Sequence, residues 1–139
     1  MWQRMCVDYA RVAAMLFDTD VLIWFLRGSA KAAKAIDDAD ARAISVVSYL
    51  ELLQGARDKA EVRTIKSFLA AMRFVMRPLT ENIGHRASIY MEEYGLSISM
   101  SIADALIAAT AVEANDAIMT GNDKHYKAVK ELELVRFRP

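Results

Sequence analysis

The sequence predicts an α/β protein whose parallel sheet is covered by helices on both faces. Three observations lead there. Short apolar runs rich in Val, Ile, Phe and Met recur along the chain, and helical patterns fill the intervals between them. Strands that alternate with helices imply parallel pairing with crossovers. Glycine and proline are sparse, at five and two, and no linker or repeat divides the chain, so the elements belong to one compact unit.

In order, Ala14–Phe17 reads as the first strand. Val21–Leu26 follows as a short helix ended near Gly28, and Ala30–Asp38 as a second. Ala43–Val47 is the second strand, followed by helices over Tyr49–Gly55 and Ala60–Met72. Phe74–Met76 is the third strand, and the helix Glu81–Tyr94 after it is bounded by Pro78 and Gly95. Ile102–Asn115 is a long Ala-rich helix. Ala117–Met119 is the fourth strand, Lys124–Val129 a short helix, and Leu134–Phe137 the fifth strand.

Composition narrows the function. A chain of 139 residues, 55% hydrophobic and 26% charged, is long enough for one domain with a real core. Eighteen basic residues balance eighteen acidic ones, which argues against a mainly electrostatic binder of nucleic acid or membrane. The single cysteine, Cys6, excludes an intrachain disulfide and a cysteine-rich zinc site, and fits a reducing cytosol. No apolar run approaches the ~18–20 residues of a membrane helix, and the opening MWQRMCVDYARVAA lacks the apolar stretch of a signal peptide. A soluble, cytoplasmic protein is expected.

In such a fold the helix N-termini gather at the C-terminal edge of the sheet, where ligands bind. Four segments send acidic or amide groups there. Asp18 directly follows Met15-Leu16-Phe17; Glu51 is expected in the first turn of a helix after Ile44-Ser45-Val46-Val47. Asp104 lies in the first turn of the helix starting near Ser101, and Asn122 and Asp123 follow Ile118-Met119-Thr120. Taken singly, each has an ordinary explanation. Ser48-x-x-Glu51 and Ser101-x-x-Asp104 both match a capping box, and Asn122-Asp123 is a common turn. Two features favour more. Asp104 shares a helix face with Ile107, Ala108 and Ala111, and Glu51 is flanked by Leu50 and Leu52, with Gly55 at i+4; carboxylates in such company are costly unless paired or liganded. All four segments also converge on one edge, where a hard divalent cation would relieve the repulsion.

At these residues the chain resembles the PIN-domain nucleases, and within them the VapC-type toxins of toxin–antitoxin pairs. Met15-Leu16-Phe17-Asp18-Thr19-Asp20-Val21-Leu22-Ile23 is similar to the family's opening strand and first acid. Ser45-Val46-Val47-Ser48-Tyr49-Leu50-Glu51-Leu52-Leu53-Gln54-Gly55-Ala56 resembles the second motif, and Ala103-Asp104-Ala105-Leu106-Ile107-Ala108-Ala109-Thr110-Ala111 the third. Thr120-Gly121-Asn122-Asp123-Lys124-His125-Tyr126 resembles the fourth, written T-x-[ND]-x-x-[HDE]-[FY]. The likeness runs from Met15 to the C-terminus. Residues 1–14 have no counterpart in the usual pattern, so they are expected to be an extension of a domain over 15–139, with Met15 a candidate translation start.

The resemblance implies a three-layer α/β/α fold with a five-stranded parallel sheet. It implies a Mg²⁺- or Mn²⁺-dependent endoribonuclease that hydrolyses RNA with a metal-activated water, a homodimer, and inhibition by a VapB-type antitoxin. Asp18, Glu51 and Asp104 match the core acids that hold the metal, and Asn122 stands at the fourth position, where many members have Asp. Asp20 supports Asp18 from two residues on, Thr120 orients a carboxylate through its hydroxyl, and Asp123 either substitutes for Asn122 at the fourth position or points away. His125 is expected in packing or on the surface rather than as the base. Basic runs at Lys124, Lys127, Lys130, Arg136 and Arg138, and at Arg57, Lys59, Arg63 and Lys66, are candidate phosphate contacts or simply solvated faces. Trp24, Phe25 and Leu26 are candidates for an apolar interface or for core. Two other readings compete. A haloacid-dehalogenase-like phosphohydrolase would use Asp18 as nucleophile and Asp20 as acid/base, but 139 residues leave little room for its cap. A PIN-like module without activity would only bind a partner.

Overall fold

The computed structural model describes residues 13–139. Among them, β1 spans Met15–Phe17, β2 Arg42–Ser45, β3 Phe74–Arg77, β4 Ala117–Thr120 and β5 Leu134–Arg136. The helices are α1 (Thr19–Leu26), α2 (Ala30–Asp38), α3 (Val46–Gly55), α4 (Lys59–Ala71), α5 (Glu81–Tyr94) and α6 (Ile102–Ala114). All strand pairs are parallel, in the order β3-β2-β1-β4-β5. The expected five-stranded parallel sheet is present. The expected extension over 1–14 lies outside the described residues, except for Ala13 and Ala14.

Strand side chains alternate between two cores. Leu16, Ala43, Val75 and Ile118 point to the face covered by α5 and α6. Phe17, Ile44, Phe74 and Met76 point to the opposite face, where they meet Val21 and Leu22 of α1, Ile36 of α2, Leu52 of α3 and Phe68 of α4. This two-residue period is what makes three layers. On the second face Phe25 stacks on Phe68 with ring centroids 4.2 Å apart, so this member of the Trp24–Leu26 run is packed inward while Trp24 and Leu26 remain partly exposed. A buried ion pair joins β3 to the start of β4: Arg77 donates from Nε and Nη2 to Asp116 Oδ2 and Oδ1 at 3.0 and 2.9 Å.

Two elements depart from expectation. The apolar run Ile44–Val47 does not continue as strand; Ser45 Oγ accepts from the Val47 amide at 3.0 Å and starts α3 three residues before the expected cap. Val46 and Val47 then serve as helix residues packed against the cores. Glu51 consequently lies in the second turn, and Ser48 is interior to the helix rather than its cap. The expected helix over Lys124–Val129 is instead a 3₁₀ turn at Asp123–His125 followed by further turns. Amides of Tyr126, Val129 and Leu132 bond to carbonyls three residues back, at 2.9, 3.0 and 3.2 Å. That three-residue step puts Tyr126, Val129 and Leu132 all in the core.

The chain goes from β1 outward to β2 and β3, then returns to lay β4 on the other side of β1. The switch point is therefore between β1 and β4, and the crevice beyond their C-terminal ends is where such sheets bind ligands.

Candidate active site

Asp18 stands in that crevice. It follows β1, its amide donates to the Met119 carbonyl at 2.9 Å, and its side chain caps α1 by accepting from the Thr19 amide at 2.8 Å. Its second oxygen accepts from the Thr120 hydroxyl at 2.8 Å, across to the end of β4. The residue is buried, and this burial, reinforced by the charge of Asp20, pushes the carboxyl up to about 6.

Asp20, in the first turn of α1, presents Oδ2 to the Gly121 amide at 2.9 Å. A Cβ at position 121 would stand 2.9 Å from that oxygen, so any side chain there would displace the Asp20 carboxylate. Asp20 Oδ1 is buried and has no hydrogen-bond partner. Burial raises this carboxyl as well.

Asp104 enters from α6. The Ser101 hydroxyl accepts from the Asp104 amide at 3.0 Å and Asp104 Oδ2 accepts from the Ser101 amide at 3.3 Å, so the expected capping box is present. The same carboxylate also faces the site. Oδ2 lies 2.9 Å from His125 Nδ1, and Oδ1 accepts from the Tyr126 hydroxyl at 3.4 Å. The Tyr126 phenol is buried near both carboxylates, and its ionisation is pushed far up by burial and by the charges of Asp18 and Asp104. Glu51 is exposed at the mouth, where the Thr19 hydroxyl donates to its Oε1 at 2.6 Å while standing 2.8 Å from Ser48 Oγ.

At the fourth position, the Asn122 amide nitrogen lies 3.4 Å from His125 Nδ1, and its backbone N–H donates to Thr120 Oγ1 at 3.0 Å. Asp123 turns elsewhere: Arg136 of β5 binds it and holds its carboxyl below the usual range. Of the two basic runs, Arg136 is thus engaged by Asp123, and Arg57 by Glu61. Thr19 and Tyr126 are site residues to which the sequence assigned no role, and His125, expected in packing or on the surface, instead faces Asp104. The only signal was the polar and aromatic pair at the end of the fourth motif.

The donor set suits a hard divalent cation. The ligating atoms on offer are carboxylate and hydroxyl oxygens, one carboxylate oxygen is buried without a partner, and two carboxylates are held close enough to oppose each other's ionisation. Among the described residues no three His, Cys, Asp or Glu side chains stand close enough together to hold a metal ion by themselves. Mg²⁺ does not require three, since it is usually held by one or two carboxylates together with water and substrate phosphates.

Comparisons with known proteins agree with this geometry. A family profile described as "PIN domain" matches residues 15–132. Ribonuclease VapC28 of Mycobacterium tuberculosis is 28% identical over 127 residues, covering 84% of this chain and 96% of its own. Ribonuclease VapC of Rickettsia bellii is 30% identical over 127 residues, with 87% and 94% covered. Among solved structures, a chain of a toxin–antitoxin complex from Klebsiella pneumoniae superposes with a TM-score of 0.74 at 26% identity, covering 87% of this chain and 95% of that one.

Proposed function

The chain belongs to the PIN-domain family, and on that premise we propose that it is a metal-dependent endoribonuclease, the toxin of a toxin–antitoxin pair. The observation that carries this reading is the buried Asp18 at the β1/β4 switch point, next to an unpartnered Asp20 oxygen. Ribonuclease names among its relatives, and a toxin–antitoxin complex among its structural neighbours, support RNA as substrate and a VapB-type antitoxin as partner. The cation is Mg²⁺ or Mn²⁺ and the compartment the cytoplasm. No helix among the described residues is long and apolar enough to cross a membrane. We assign the working unit as a homodimer; exposed Leu50, Leu96 and Ile102 offer apolar surface for it.

Asp18 and Asp104 would hold the cation, with Glu51 joining from the mouth. When bound, the cation supplies an activated water and neutralises charge building on the scissile phosphate. Thr120 fixes the Asp18 carboxylate and Thr19 fixes the Glu51 carboxylate. The Asn122 amide adds a donor without adding charge.

RNA cleavage measured with and without EDTA tests this reading, with Asp18→Asn and Asp104→Asn beside the wild type. Loss of cleavage in EDTA and in both variants is expected, with restoration by added Mg²⁺ in the wild type alone. Full activity of either variant in Mg²⁺ would sink the assignment. Hydrolysis of small phosphate monoesters through a phosphorylated Asp18 would favour the phosphohydrolase reading instead.

A further inference from the structure

The Asp104 carboxylate answers to two masters. As the third residue of α6 it closes a capping box on Ser101, a contact that serves the helix and would be satisfied wherever the helix went. Its other partners come from a different element, the turn after β4, across 21 and 22 residues of sequence. We propose that His125 and Tyr126 are positioning residues that aim the Asp104 carboxylate toward Asp18, an inference that rests on the metal-site reading above.

The geometry supports a clamp. His125 Nδ1 lies 2.9 Å from Oδ2, shorter than the 3.3 Å bond to the Ser101 amide, so the stronger hold on that oxygen comes from the imidazole. Since a carboxylate only accepts, Nδ1 carries the proton. The Tyr126 hydroxyl reaches the other oxygen, Oδ1. With His125 and the Ser101 amide on Oδ2 and Tyr126 on Oδ1, both oxygens are held and the plane of the carboxylate is set. The clamp is itself fixed. Tyr126 is buried with Val129 in the core, and the amides of Tyr126 and Lys127 bond to the Asp123 carbonyl at 2.9 and 3.0 Å. Arg136 ties the Asp123 side chain to β5. Groups held this way are in place before a ligand arrives, which lowers the cost of binding it.

The test uses the full chain and Mn²⁺ as the probe, titrated in the absence of RNA and read by the EPR signal of free ion. Tyr126→Phe removes the hydroxyl and keeps the ring. His125→Leu removes the donor, whereas His125→Asn places an amide nitrogen where Nδ1 stands; His125→Gln places one where Nε2 stands. A lost, well-aligned hydrogen bond to a charged ligand group corresponds to about a five- to tenfold weaker Kd. That loss is expected for His125→Leu and His125→Gln, a smaller one for Tyr126→Phe because its contact is 3.4 Å long, with His125→Asn within about twofold of wild type. Wild-type affinity in the Leu and Phe variants would overturn the proposal. If the Leu variant fails to fold, equal affinity of the Asn and Gln variants overturns it. Asp104→Asn separates the two levels: if that variant binds Mn²⁺ like the wild type, the metal-site reading fails. If it binds weakly while His125→Leu binds normally, only the clamp fails.

Discussion

Asp18 illustrates how a functional side chain costs stability. Its carboxyl ionises at about 6 in the folded protein against 3.8 as a free side chain, chiefly because it is buried. Below about pH 4 the group is protonated in both folded and unfolded chains and imposes no penalty. As pH rises through 4 to 6 the unfolded chain ionises first, and above about 6 the folded state carries the full cost of a desolvated anion. Asp18→Asn keeps an acceptor for the Thr19 amide and loses the charge. In EDTA at pH 7.5 it should exceed the wild type in stability by about 1–3 kcal/mol, and the gain should vanish near pH 4, while RNA cleavage is lost at both. Urea melts at the two pH values check this; an equal gain at both would show that charge is not the cause. The positions of Asp18 and Asp104 were legible from the sequence, because each sits where a strand ends or a helix begins. Thr19, His125 and Tyr126 were not. Their importance lies in contacts 21 to 32 residues away, which no local spacing encodes.

At the scale of elements, capping decides where the site residues stand. Ser101 starts α6 and Ser45 starts α3. Ser101→Ala should destabilise the protein by about 1 kcal/mol, readable in chemical denaturation. It should also weaken metal binding, because Asp104 rides on that first turn; wild-type metal affinity in this variant would show that the turn is held by tertiary contacts alone. The order of strands and helices was readable from alternating apolar runs. The start of α3 was not, since Val46 and Val47 extend a β-branched stretch and only a hydrogen bond from the Val47 amide to Ser45 shows that the chain has already turned. The stretch after Asp123 was misread as α-helix for a related reason. Tyr126, Val129 and Leu132 are spaced by three, and a repeat of three over so short a span fits a series of turns as well as a helix.

For the whole molecule, the sheet is the frame that brings distant acids together. The Arg77–Asp116 pair locks that frame where β4 begins, with Asp116 also accepting from the Ala14 amide at 2.8 Å. Asp116→Ala takes the carboxylate away from a buried guanidinium and should cost about 3–5 kcal/mol, seen as a large fall in melting temperature; a fall of less than a degree or two would contradict the burial. Divalent ions should act in the opposite direction. Mg²⁺ relieves the Asp18–Asp20 repulsion, so it should raise the melting temperature, reversibly with EDTA. Protons compete for the same carboxylates, so that rise should be larger at pH 7.5 than at pH 5.

The double duty of Asp104 bears on how this PIN domain would decay if selection for its activity relaxed. Asp18 is a burden once its chemistry is unused, and its replacement carries a gain. Position 104 offers no such release, because its carboxylate also fastens the start of a helix whose middle lies in the core. A silenced descendant would therefore shed its first acid early and retain a short polar residue at 104 long afterwards. The order of those losses among degenerate copies would record which residue was holding the molecule together.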